Sequence, residues 1–226
     1  MAAGRVTDLV TLEAFLRGRL RTAGLVAAAL AAAACFRVRG TREESAAPVR
    51  DGFWELLDAE ADARTPAPAQ RTASRRQGRA LLRAARVAWP DAVWLAELAA
   101  SAAGHAGPGG AAGGGAARDE YRHGPHHAVV LGAAAAAAGC TPVDAARVAA
   151  YQAVAGPASA AVRLLALDPM RATGVLARLA GEIDQVADDG AGYAGRPLDD
   201  LPCPSAPALD LLAETHIEAE VRLFES

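Results

Sequence analysis

Apolar residues recur at three- and four-residue intervals along almost the whole chain, and no stretch rich in β-branched residues alternates with period two. Val6, Leu9, Val10, Leu12, Leu16 and Leu20 predict an amphipathic helix over 7–19. The run LVAAALAAAAC that follows predicts a second over 22–36, ended by a polar stretch with Gly40, Glu43 and Glu44. A third begins near Val49, holds Phe53, Trp54, Leu56 and Leu57, and stops at TPAPAQ (65–70), whose spaced prolines lack the N–H that helix bonds require. From Arg71 to about Ala103 the spacing predicts one long helix or a pair divided at Pro90. Leu81, Leu82, Ala85, Val87, Trp89, Val93 and Trp94 are its core candidates.

The second half punctuates itself more clearly. Residues 104–124 are glycine-rich and read as a flexible surface loop. A helix from Pro125 through an alanine tract to Gly139 comes next. Thr141, Pro142 and Asp144 then combine a capping hydroxyl, proline at the first helical position and an acid at the positive end of the helix dipole. Gly156 and Pro157 divide that helix, which should carry Val148 and Tyr151, from one holding Val162, Leu164, Leu165 and Leu167 and ending at Asp168 and Pro169. Another helix covers 171–187. A proline-containing loop over 188–207 leads to a last amphipathic segment from Ala208 that ends VRLFES. The expectation is an all-α chain, one domain over 1–226 of about nine or ten helices, with small residues letting helices approach closely.

Composition sharpens this picture. Of the 226 residues 52% are hydrophobic but only 4% aromatic, so the core must be built from alanine, leucine and valine. All 23 basic residues are arginine, a bias that fits GC-rich coding. The net charge of -3 argues against a phosphate-tracking surface, so no nucleic acid is expected as a partner. Cys35, Cys140 and Cys203 are widely spaced with no CxxC pair, which points to a reduced, cytoplasmic setting. Arg17, Arg19 and Arg21 ahead of 25–35 imitate a signal sequence ending at a lipidation-type Cys35. Asp8 and Glu13 and the amphipathic pattern before it depart from that form, and the run is too short to span a bilayer, so no membrane is expected either.

Candidate chemistry is sparse. His123, His126 and His127 cluster, with His105 on the same glycine-rich loop, and imidazole suits nickel, copper or zinc, with Cys140 as a further ligand. Yet Gly124 and Pro125 interrupt the shared helical face of His123 and His127. The alternative is that His126 or His127 caps or packs at a helix start. No GxSxG elbow supports a hydrolase, no Gly-Lys-Ser or Gly-Lys-Thr supports a P-loop, and Asp188, Asp189, Asp199 and Asp200 read as turn acids. Arg71, Arg75, Arg76 and Arg79 could face an acidic partner or solvent. A terminus ending in Leu223 and Phe224 suggests that the tail docks on something, because free termini fray.

Four separated blocks, RTASRRQGRALLRAA (71–85), HGPHHAVVLGAAAAAAG (123–139), YQAVAGPASAAVRLLALDP (151–169) and AETHIEAEVRLFES (213–226), together resemble the urease accessory protein family UreF. The resemblance implies an all-helical, non-enzymatic maturation factor without a cofactor of its own. Such a factor is cytoplasmic, forms a homodimer and joins UreD (also called UreH) and the GTPase UreG to deliver nickel to apo-urease. By that resemblance, Arg71, Ser74, Gln77 and Gly78, the last three matching a Ser-x-x-Gln-Gly feature, are partner-binding candidates. So are His216, Arg222, Leu223, Phe224 and Ser226 of the 213–226 tail, and Gly132 matches a glycine of the His-rich block. The chain departs from the family pattern in three places. It begins after a Pro-x-Gly-Gly-Phe-like loop and a Ser-Gly-Leu-Glu-like helix start, Ile217 stands where a glutamate is usual, and 166–169 replaces Pro-Leu-Gly. A metal-binding or hydrolytic helical protein built on the His cluster is the alternative.

Overall fold

A computed structural model describes residues 6–43, 52–104, 124–208, 210–211 and 213–214. Among these there are helices and no strands. They are α1 (Leu9–Arg19), α2 (Leu25–Glu43), α3 (Phe53–Ala63), α4 (Pro68–Ala88), α5 (Val93–Gly104), α6 (His127–Ala137), α7 (Pro142–Leu165), α8 (Pro169–Arg178) and α9 (Ala180–Ala191). A π-helical segment, Leu20–Gly24, joins α1 to α2, a 3-10 turn covers Leu198–Asp200, and helical backbone resumes at 207–208.

The helix starts follow the capping chemistry. Asp8 and Thr11 form a reciprocal box at α1, with Thr11 N–H donating to Asp8 Oδ1 at 2.8 Å. Thr141 and Asp144 form the expected one at α7, with Pro142 at the first position. Asp168 caps α8 ahead of Pro169.

Helix α2 runs through the middle, packed on α6, α7 and α9, and separates two clusters of buried side chains. One holds Trp54, Leu57, Leu82, Trp94, Leu95, Leu98, Val129 and Val130. The other holds Leu12, Leu16, Leu20, Val154, Val175, Leu179 and Ile183. Small residues set the spacing between helices, as the composition requires. A Cβ added at Gly132 of α6 would lie 2.2 Å from the Ala31 carbonyl oxygen, and one at Gly190 of α9 would lie 2.7 Å from Ala28 Cβ. The helices therefore meet at near-backbone distance, and no larger side chain fits at either crossing.

Several boundaries differ from the sequence expectation. The polar stretch at Gly40 does not end α2, and α1 and α2 form one continuous rod through the π segment. The apolar, lipidation-like run up to Cys35 is the middle of that buried rod, and Cys35 is wholly inside. This is the one described helix long and apolar enough to cross a membrane by composition, and most of it is covered by the rest of the protein. Pro68 opens α4 instead of preventing it, since the first helical N–H needs no partner. Pro90 does divide α4 from α5, but Val87, Trp89 and Val93 at that elbow are 84%, 37% and 66% exposed and are not core. The helix expected over 171–187 is two, broken at Leu179.

Pro157 does not divide α7. Its missing N–H would leave the carbonyl of Ala153 without a partner, and Arg19 supplies one by donating its Nε–H to that oxygen at 2.9 Å. A proline inside a helix is tolerated where another donor takes over the orphaned oxygen.

Candidate functional site

Helices α3 and α4 and the start of α6 meet around a single arginine. Asp58 and Asp62 are one turn apart on α3, so both carboxylates lie on the face toward α4. Arg75 of α4 bridges them: Nη1 lies 2.8 Å from Asp58 Oδ2 and Nη2 lies 2.6 Å from Asp62 Oδ2. Nη1 also donates to the carbonyl of Gly124 at 2.6 Å. The second oxygen of each carboxylate is used by His126, whose backbone N–H donates to Asp58 Oδ1 at 2.7 Å and whose Nε2 is 2.8 Å from Asp62 Oδ1. Its Nδ1 is 3.0 Å from Ser74 Oγ, which also accepts the His127 N–H at 3.1 Å.

His126 is 2% exposed and has both ring nitrogens in hydrogen bonds, so it has no free lone pair for a metal. It sits at the N-cap position of α6, which is the packing role at a helix start and not the ligand role. His105 and His123 lie outside the described residues. Among the described residues no three histidine, cysteine or acidic side chains come together as a metal would need.

The electrostatics follow from this geometry. Burial by itself raises the Asp62 carboxyl, but the His126 hydrogen bond and the Arg75 charge outweigh it and bring the pKa down to about 2. Burial lowers the His127 imidazole below its ordinary value. Burial also pushes the Cys35 thiol up to about 11, which makes it a poor nucleophile.

The first turns of α4 hold three of the family-type positions in this arrangement. Ser74 links the start of α6 to α4. Gly78 lets the two elements touch, because a Cβ there would lie 2.0 Å from the Pro125 carbonyl oxygen. Arg71 donates through Nη1 to the carbonyls of Thr65 and Pro66 at 2.8 and 3.1 Å and so fastens the turn between α3 and α4. Gln77 is exposed. It looks into a groove of about 760 Å³ that is bounded by the π segment, α4, the start of α6, α7 and residues 203–206 and 210. His216, Arg222, Leu223, Phe224 and Ser226 lie outside the described residues.

The chain leading to them is held at the rim of that groove. Gln70 Nε2 donates to Asp210 Oδ1 at 3.1 Å, and the Ala69 N–H at the start of α4 donates to Glu214 Oε1 at 2.8 Å. Helix α4 has no cap from its own N-cap side chain, so Glu214 fills that role from a distant part of the chain.

The family model UreF matches residues 6–180, more than three-quarters of the chain. The chain belongs to the UreF family. It is 40% identical over its full length to the urease accessory protein UreF of Mycolicibacterium vanbaalenii and 42% identical to that of Mycobacterium sp. strain JLS, covering 86% of each relative. The urease accessory protein UreF of Mycobacterium tuberculosis strain H37Rv is 42% identical over 227 aligned positions with the same coverage. In this UreF-family chain Ser74, Gly78 and Gly132 are packing positions, each at a close approach between helices. Arg75, one of four arginines that the sequence reads as facing an acidic partner or solvent, is the centre of a part-buried ion network. Asp58 and Asp62 belong to no motif, and their i, i+4 spacing opposite a helix bearing Arg71 and Arg75 is the signal that points to them.

Proposed function

We propose that this chain is a non-enzymatic scaffold in urease maturation, binding UreD (UreH) and the GTPase UreG and through them assisting nickel insertion into apo-urease. The observation that carries this reading is family membership across the chain, with relatives named as urease accessory proteins. In this reading the whole chain acts as one UreF-like unit in the cytoplasm, as a homodimer within the complex, with no membrane or nucleic acid involved. The segment beyond Glu214 carries the partner contacts. Arg222, Leu223 and Phe224 are its anchors, because arginine and aromatic side chains contribute most to interface energy. The α4 residues Arg71, Ser74, Gln77 and Gly78 support the surface from which that segment departs.

Co-expression with UreD and UreG from the same source, followed by size-exclusion chromatography with light scattering, tests the proposal. The expected result is a co-eluting complex that dissociates when 222–226 are deleted. Arg222→Ala should weaken UreG recruitment with an unchanged circular dichroism spectrum. A chain that is folded yet elutes alone in the presence of both proteins would overturn the scaffold role.

A further inference from the structure

The fold brings together two cysteines that the sequence keeps 105 positions apart. Cys35, in the middle of α2, is wholly buried, and its thiol donates to the carbonyl oxygen of Cys140 with Sγ 3.4 Å away. Cys140 lies in the short turn between α6 and α7, is half-buried, and follows Gly139, whose φ is +83°. Standard bond lengths cap the Cα separation at about 8.5 Å for a straight contact, and the bends at sulfur and oxygen shorten it toward the roughly 4.4–6.8 Å of bridged pairs. Arg39, one turn beyond Cys35 on α2, keeps the turn close. Its Nη1 donates to the carbonyls of Gly139 and Cys140 at 3.0 and 3.1 Å. Both thiols are free, as is that of the exposed Cys203.

The two thiols differ in what can reach them: a small oxidant in solution meets Cys140 and not Cys35. We propose that Cys35 and Cys140 form an oxidation site, a thiol pair that hydrogen peroxide closes to a disulfide, with Cys140 oxidised first and Cys35 resolving it. The Cys140 thiolate attacks one peroxide oxygen and the O–O bond breaks. Cys140 is left as a sulfenic acid, and the departing hydroxide takes up the thiol's proton and leaves as water. Cys35 then gives up its own proton, and its sulfur attacks the Cys140 sulfur and displaces hydroxide, which departs as a second water. Two thiols and one peroxide thus give one disulfide and two waters, the sulfurs supplying both electrons. Burial holds the Cys35 thiol at about 11 against the charge of Arg39, which makes it inert toward distant targets. In the pair its target is on the residue it already touches, and proximity makes up for weak nucleophilicity. A reducing setting keeps the pair open, so the bond forms only on oxidation. It then fastens the middle of α2 to the turn that opens α7, and cross-links across so long a stretch of chain constrain the unfolded state most.

Mass spectrometry of the full chain carrying Cys203→Ser decides it. After mild treatment with hydrogen peroxide the intact chain should be about 2 Da lighter, the loss of two hydrogens. Tryptic peptides 22–37 and 123–147 should then run linked without reductant and separate with dithiothreitol. Cys140→Ser changes only a half-buried turn position, and in that variant Cys35 should remain a free thiol through the same treatment. Cys35→Ala should instead leave a sulfenic acid on Cys140 that dimedone traps. Cys140 passing on to the sulfinic acid beside an unreacted Cys35 would overturn the proposal, as would a disulfide found only between two chains. Oxidation of Cys35 at an undiminished rate in Cys140→Ser would overturn the assigned order.

Discussion

Arg19 and Ala153, 134 positions apart in the chain, share a 2.9 Å hydrogen bond at the point where Pro157 interrupts the ladder of α7. This one contact ties the junction of α1 and the π segment to the middle of the longest helix. It also makes the worth of Arg19 depend on the proline four residues beyond its acceptor.

That dependence is measurable as a double-mutant cycle. Arg19→Met should destabilise the chain by about 1–3 kcal/mol, the cost of a part-buried carbonyl left without a donor. In a Pro157→Ala background the restored backbone N–H at that position can donate to the Ala153 carbonyl, and the loss should fall below about 1 kcal/mol. Urea unfolding of the four proteins reads the difference. Equal losses in both backgrounds would show that Arg19 stabilises by some other contact.

A glycine contrast tests the close approach of α4 to α6. Gly78→Ala drives a methyl into the Pro125 carbonyl and should cost about 3 kcal/mol or more, the upper range for overpacking. Gly181→Ala, in α9 with nothing within 4 Å of the new Cβ, should be neutral or stabilising by up to about 1 kcal/mol. Thermal melts should show a clear drop for the first variant and none for the second.

Arg75 and Arg83 lie on the same helix but differ in what they hold. Arg75→Met leaves Asp58 without its cation and Asp62 with only the longer, 4.0 Å contact of Arg71 Nε. It should cost about 3 kcal/mol, the low end for breaking a buried pair because Asp62 is partly exposed. Arg83→Met, at an exposed position, should stay within about 0.5 kcal/mol. Denaturant midpoints that coincide for the two would contradict the network's role.

Acid stability should fall in two separate windows. The His127 imidazole has a folded pKa below its unfolded value of 6.5, so the unfolded state takes up the proton first. Its contribution is complete above about 6.5 and declines as pH falls below that. Asp62, at about 2 against an unfolded 3.8, contributes fully above about 4 and is lost as pH approaches 2. His127→Gln should flatten the first decline in melting temperature and leave the second. Asp62→Asn should lessen the second, to which the hydrogen-bonded carboxylates of Glu13, Asp144 and Glu182, also held below their ordinary values, contribute as well.

What the residues revealed beforehand, and what they hid, separates along the range of the interactions. Thr141, Pro142 and Asp144 announce a helix start because every group involved lies within one turn. Pro157 misleads for the opposite reason: the donor that rescues its helix is Arg19, far away in sequence. Val87, Trp89 and Val93 look like core by size and spacing, but they fall at the elbow around Pro90, where the described elements leave them exposed. At the site, the packing of His126 at a helix start was legible, while its two side-chain partners, on α3 and α4, are long-range. Arg75 differs from Arg76 in which way it faces, and that is set by the α3 carboxylates across the gap.

The π segment at Leu20–Gly24 sets the rotation of everything that follows it. A π turn accommodates about one residue more than the α turn it replaces, which advances the helix beyond it by roughly 100° about its axis. The segment thus works as a phase adjuster. It allows Leu12, Leu16 and Leu20 to face one core while the following rod presents Ala31 and Ala34 to the other. Deleting a single residue between 20 and 24 would scarcely shorten the rod. With the extra residue gone the turn closes as an α turn and the faces matched to Gly132 and Gly190 keep their place, whereas the same deletion within α2 itself would turn everything after it by about 100°. An insertion or deletion on the far side of α9 would carry no such rotation into the centre.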